Sequence, residues 1–198
     1  MFFFRKLFKT KGLLTTFLLW IILSSFYSYQ YMLRMVPALI KDELKTTLLA
    51  TPEKISTLNT IYFISYTLFQ IPMGVLIDKY GIKKITIASI ILCLIGCIIP
   101  TIFNKFYYLQ ISRFLIGASS ASALICILKI IAELFPPGSR GFLIGANFAL
   151  NSFMVILYSK FLDSIDVLDQ ISISIGALLL LIVIFFFKEQ KINTIILY

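Results

Sequence analysis

The sequence predicts an all-α membrane protein of six transmembrane helices, with the N and C termini both cytoplasmic. Three observations predict it. The 198 residues are 60% hydrophobic and 14% charged, more apolar surface than a water-soluble domain of this size can hide. Six apolar runs, residues 13–36, 55–77, 85–103, 107–134, 142–161 and 170–187, approach the roughly 20 residues needed to cross hydrocarbon. The basic residues Arg5, Lys6, Lys9, Lys11, Lys79, Lys83, Lys84, Arg140, Lys188 and Lys191 gather at alternate junctions, marking that side as cytoplasmic. The junctions between carry balanced charge (Lys41, Lys45 and Lys54 against Asp42, Glu43 and Glu53) or acidic charge (Asp163, Asp166 and Asp169 against Lys160).

Composition also excludes functions. The net charge of +9 is accounted for by orientation in the bilayer, and no basic patch interleaves with aromatics, so nucleic acid is not a partner. There is no histidine, which removes imidazole metal sites, His-based proton relays and Ser-His catalysis. Cys93, Cys97 and Cys126 lie inside apolar runs and read as small packing residues. No paired acid, thiol or metal constellation sits within the spans, so no enzyme, cofactor or metal is expected.

Residues 1–12 form a short basic cytoplasmic segment resembling the start of a signal peptide. No small-residue cleavage site follows, so the first run is an uncleaved span. At about 100° per residue, Trp20, Ser24, Tyr27, Tyr31 and Arg34 share one face of it, with Gln30 alongside. Arg34 is either a fixed cation at the outer mouth of a cavity, with Tyr27 and Tyr31 supplying hydroxyls and ring faces, or a side chain snorkelling to the interface. Pro37 is expected to end the regular helix.

The second run places Asn59, Tyr62, Tyr66 and Gln70 on one face, as cavity lining or as polar glue between helices. The third offers Ser89, Cys93 and Cys97 as a packing seam. In the fourth, Arg113 lies about two turns from the outer end, a depth that requires solvation or pairing; it is either a functional cation or an arginine satisfied by backbone carbonyls and packed for structure. Gly117, Ser120 and Leu124 follow on its face as a groove, and Lys129 and Glu133 form a local ion pair near the cytoplasmic end. The fifth run has a small-residue packing seam, Gly141, Gly145, Ala149 and Ser152. Asn147, Asn151 and Tyr158 lie opposite, toward a cavity. The sixth is aliphatic and aromatic and reads as lipid-facing. Residues 188–198 are a cytoplasmic tail.

The tightest signal is Gly74-Val75-Leu76-Ile77-Asp78-Lys79-Tyr80-Gly81-Ile82-Lys83-Lys84. Gly74 lets a neighbouring helix approach, Asp78 stands where the chain leaves hydrocarbon, and Gly81 can take the left-handed backbone of a short turn. This order resembles the loop between helices 2 and 3 of the major facilitator superfamily of transporters, with Ile82 where the family usually has Arg. Arg113-x-x-x-Gly117-x-x-x-Ala121 resembles the family's helix-four motif, and Glu133 to Gly141 its loop between helices 4 and 5. The resemblance implies that Arg113 faces the interior and serves proton or substrate coupling. It also implies that Asp78, Glu133 and Arg140 form a cytoplasmic latch, with Lys83 in place of the missing Arg.

The family fold has two six-helix halves with the site between them, and the resemblance covers this chain as the N-terminal half. A second half or a homodimer is then the expected protein partner, beside the lipid bilayer, a small solute and H+. The glycine-proline signature of drug–proton antiporters is absent from the fifth run, which favours uptake or facilitated exchange over drug efflux. Tyr29 to Pro37 is similar to permeases of intracellular bacteria that import amino acids, so a bacterial inner membrane is expected. The function implied is secondary active, proton-coupled import of a small polar solute. Arg34 and Arg113 would suit a carboxylate. The alternative is a truncated or split-gene product inactive by itself.

Overall fold

A computed structural model describes residues 11–103, 105–160 and 165–187. The described residues form seven helices: α1 (Lys11–Leu39), α2 (Lys41–Thr47), α3 (Pro52–Tyr80), α4 (Ile82–Ile102), α5 (Phe106–Leu134), α6 (Pro137–Lys160) and α7 (Ile165–Phe186). Helices are what these apolar runs must form, because hydrocarbon offers the backbone no partner but itself. Four are long and apolar enough to cross a membrane: α3, α4, α5 and the Pro137–Leu157 part of α6. Against the six spans expected, α7 contributes the shorter apolar stretch Gln170–Phe186. α1 has the length, 29 residues, but its second half carries Ser24, Ser25, Ser28, Gln30 and the three tyrosines Tyr27, Tyr29 and Tyr31, most of them buried or half-buried.

The bundle is built around α5, which packs on α3, α4 and α1, while α7 closes over α4 and α1. Two glycines on α4 and α5 set these distances. A Cβ on Gly117 would fall 2.0 Å from Ser65 Oγ and 2.4 Å from the Tyr62 carbonyl oxygen, and one on Gly96 would meet Ile116 at 2.9 Å. Gly117 is therefore filled by α3, and the groove expected beside it is a close helix contact. Outward-facing Leu68, Ile71, Phe142, Phe153 and Phe185 are exposed. Lipid is as apolar as they are, so their exposure is inexpensive there.

The structure departs from the expected elements in four places. α1 continues past Pro37 to Leu39, because a proline near a helix end removes one backbone bond without needing to stop the helix. The segment read as an outer loop contains α2, whose Leu44 packs with Ala50, Ile55 and Leu58 in a small separate core. Gly74, Gly141 and Gly145 have nothing within 4 Å of a built Cβ, and Ala149 and Ser152 are exposed. Neither the close approach at Gly74 nor the seam on α6 is used among the described residues. Finally, α7 is not wholly lipid-facing. Ser172, Leu179 and Val183 are buried, and Gly176 lies so close under α1 that a Cβ would sit 2.6 Å from Tyr29 Oη. The tail, residues 188–198, lies outside the described residues.

Candidate functional site

The candidate wall is built where α1 meets α3. Tyr27, Tyr31 and Arg34 project from α1, and Tyr66 and Gln70 from α3, all half-buried, with Tyr62 buried behind them. The Arg34 guanidinium carbon lies 4.5 Å from the Phe63 ring centre and 5.5 Å from that of Tyr31. Tyr62 and Tyr66, one turn apart, are stacked at 6.2 Å with planes 11° apart, and Tyr27 and Tyr31 are 6.3 Å apart. A cation on ring faces is held by their quadrupoles. No acid pairs with Arg34 among the described residues, which leaves its planar fork available to an anion.

Arg113 is elsewhere. Its Nη1 donates to the Leu33 carbonyl at 2.8 Å, and the side chain is buried. It lines a cavity of about 670 Å³ between α1, α2, α4, α5 and α7, together with Glu43, Lys105, Ser112 and Ser172. The structure does not bring the two arginines together: the Leu33 carbonyl turns to Arg113 while the Arg34 side chain turns to α3. Asn147 and Asn151 are buried against α1 rather than facing the aromatic wall, with Ser28 Oγ donating to Asn151 Oδ1. The side chain of Tyr158 lies outside the described residues.

At the opposite end of the bundle, Lys129 Nζ bonds Asp78 and stands 3.8 Å from Glu133 Oε1. The two acids of the expected latch are thus joined, but through Lys129. Arg140 Nε instead donates to the Phe135 carbonyl at 3.0 Å, and Lys83 Nζ to the Ile184 carbonyl at 3.2 Å. Both basic side chains lie nearer to orphan carbonyls at helix ends than to the acids, and such carbonyls attract cations. Lys79 lies over the Tyr80 ring at 5.3 Å, and Lys84 is exposed. Gly81 has φ 85° and its N–H bonds the Ile77 carbonyl, the left-handed turn that only glycine adopts cheaply.

Between the two ends lies a polar cluster that the helical faces do not single out. Ser120 Oγ donates to Gln30 Oε1 at 2.6 Å, Cys93 Sγ approaches the same oxygen at 3.6 Å, and Gln30 Nε2 reaches Ser119 Oγ at 3.5 Å. Tyr29 Oη donates to the Ser172 carbonyl at 3.0 Å. An amide in the middle of an apolar run was the available signal, since a buried amide needs partners.

The sequence profile of the Major Facilitator Superfamily matches residues 12–193. A Bacillus subtilis (strain 168) protein named "Uncharacterized transporter YybO" is 35% identical over 91 residues, covering 46% of this chain and 21% of that protein. Two "Uncharacterized transporter" proteins of Buchnera aphidicola, from subspecies Acyrthosiphon pisum (strain APS) and Baizongia pistaciae (strain Bp), are each 34% identical, over 102 and 103 residues. Each of these matches covers 50% of this chain and 25% of the relative. The chain therefore matches about a fifth to a quarter of the length of these curated relatives.

Proposed function

The chain belongs to the major facilitator superfamily, and we propose that it supplies one wall of a secondary active transporter for a small polar solute bearing a carboxylate, such as an amino acid or organic acid. The observation that carries this reading is Arg34, stacked on Phe63 and Tyr31 and paired with no acid among the described residues. A guanidinium held by ring faces keeps its donors for a planar anion, and the hydroxyls of Tyr27, Tyr31 and Tyr66 surround it with further donors and acceptors. Burial of the ionic contact among aromatics strengthens it relative to water.

The solute would be carried by alternating access, with proton-coupled uptake across a bacterial plasma membrane. The Asp78–Lys129–Glu133 group would lie on the cytoplasmic side and favour one of the two conformations. The opposite wall would come from a second six-helix half or a second copy of this chain, related by the family's pseudo-symmetry. The open faces at Gly74, Gly141 and Gly145 support an additional helical partner.

The test is uptake of radiolabelled amino acids and small organic acids into vesicles containing only this chain, with and without an imposed pH gradient. Saturable uptake that Arg34→Ala abolishes supports the reading. Uptake of a neutral solute that is indifferent to Arg34 overturns the anion assignment. If the inserted, folded chain transports nothing, native mass measurement and co-expression with a second half decide whether it acts only as part of a larger assembly.

A further inference from the structure

We propose that the seam between α1 and α6 is a water-binding site inside the bilayer, formed by Trp20, Ser24, Asn147 and Asn151. Both helices run away from the Asp78 end of the bundle, so they are parallel. The contacts between Tyr27 and Phe148, and between Ser28 and Asn151, fix their register. One turn back along both helices, the same register sets Ser24 opposite Asn147, with Trp20 a further turn along α1.

The upper rung is closed, because Ser28 bonds Asn151 directly. The lower rung is open. Ser24 Oγ, Asn147 Oδ1, Asn151 Nδ2 and Trp20 Nε1 are all buried without a hydrogen-bond partner among the described residues, in residues only 3%, 2%, 2% and 6% exposed. Buried polar atoms are almost always partnered, and in hydrocarbon nothing outside the protein can partner them.

The chemistry of the set identifies its ligand. Trp20 offers a donor, Asn151 a donor, Asn147 an acceptor, and Ser24 either. No charged group is among them, so an ion is not favoured. Burial this complete admits nothing much larger than water, and water makes about three bonds to such groups. Bridging water would hold the helices together by bonds that exchange readily.

Trp20 is the single tryptophan of the sequence, so the unlabelled chain reports on its own seam. The experiment is its fluorescence in lipid vesicles prepared in H2O and in D2O. The expected result is emission to the red of an indole in hydrocarbon and brighter in D2O. Ser24→Ala and Asn147→Leu should each shift emission to the blue and reduce the D2O effect. Ser24→Ala removes only one oxygen, so the test survives if the leucine variant does not fold. Blue emission insensitive to D2O in the unaltered chain would mean a dry seam with direct side-chain bonds, and the proposal would fail. Red emission unchanged by either variant would mean that water reaches Trp20 from elsewhere, which overturns it equally.

Discussion

Arg113 Nη1 donates to the carbonyl of Leu33, the oxygen that would accept from residue 37 in an uninterrupted helix. Residue 37 is proline and has no N–H to give. A charge deep in the bundle thus gives a donor to the carbonyl that the proline leaves open, across α1 and α5, and the helix passes through its proline without stopping.

The pairing predicts a rescue. Arg113→Met should cost about 1–3 kcal/mol, the usual penalty for leaving a buried acceptor unmade. Pro37→Ala restores the missing N–H, so in the Arg113→Met background it should recover about 1 kcal/mol, and far less in the parent chain. Unfolding midpoints of the four proteins in one detergent give the coupling directly. Additive effects would show that Leu33 is not the link.

At the aromatic wall, Arg34→Ala should weaken binding of a carboxylate solute by about 10–100-fold, the equivalent of one charge-assisted contact. Arg34→Lys should recover part of this, because an ammonium supplies charge but not a planar fork. Phe63→Ala should weaken binding less than Arg34→Ala, by loosening the guanidinium that Phe63 supports. Equilibrium binding of the solute found by the vesicle screen measures all three.

For the Asp78–Lys129–Glu133 group, stability is the wrong readout. Asp78 is 73% exposed, and exposed pairs contribute about 0–1 kcal/mol. Lys129→Met should instead change which conformation is populated. All three native cysteines, Cys93, Cys97 and Cys126, are buried, so a cysteine introduced at Lys79 reports accessibility to maleimide at this end. Labelling should change with Lys129→Met, and exchanging the charges (Asp78→Lys with Lys129→Asp) should return it toward the parent rate.

Glycines that look alike in sequence should separate by packing. Gly117→Ala places a methyl against Ser65 and the Tyr62 backbone and should cost about 1–3 kcal/mol or more, as overpacking does. Gly145→Ala has open space around it and should be neutral or stabilise the helix by up to about 1 kcal/mol. Thermal unfolding of both variants in detergent decides, and equal losses would contradict the arrangement of α3, α5 and α6.

That contrast shows what the sequence could convey. Length, apolar runs and intramembrane charge are legible because lipid penalises each exception one residue at a time. Arg34, Arg113 and the Asp78 turn stand out for this reason. Which surfaces meet is a property of two helices at once. Gly74 reads as a site of close approach and Gly117 as part of a groove, yet among the described residues it is Gly117 that a neighbouring helix fills. Arg34 and Arg113 both read as cations for one anion, yet the backbone of α1 stands between them. Gln30 stands only beside the polar stripe of α1 and Tyr29 falls outside it, so neither is singled out by the helical face. Their partners lie on α4, α5 and α7, some of them more than 140 residues away along the chain.

The seat of Tyr29 beneath Gly176, with its hydroxyl on Ser172, sets an order of events during biosynthesis. α1 leaves the ribosome long before α7, so Tyr29 enters the membrane with its polar group still waiting for a carbonyl not yet translated. Late closure of so distant a contact is slow, and for that interval the nascent bundle presents an open flank along α1 and α4.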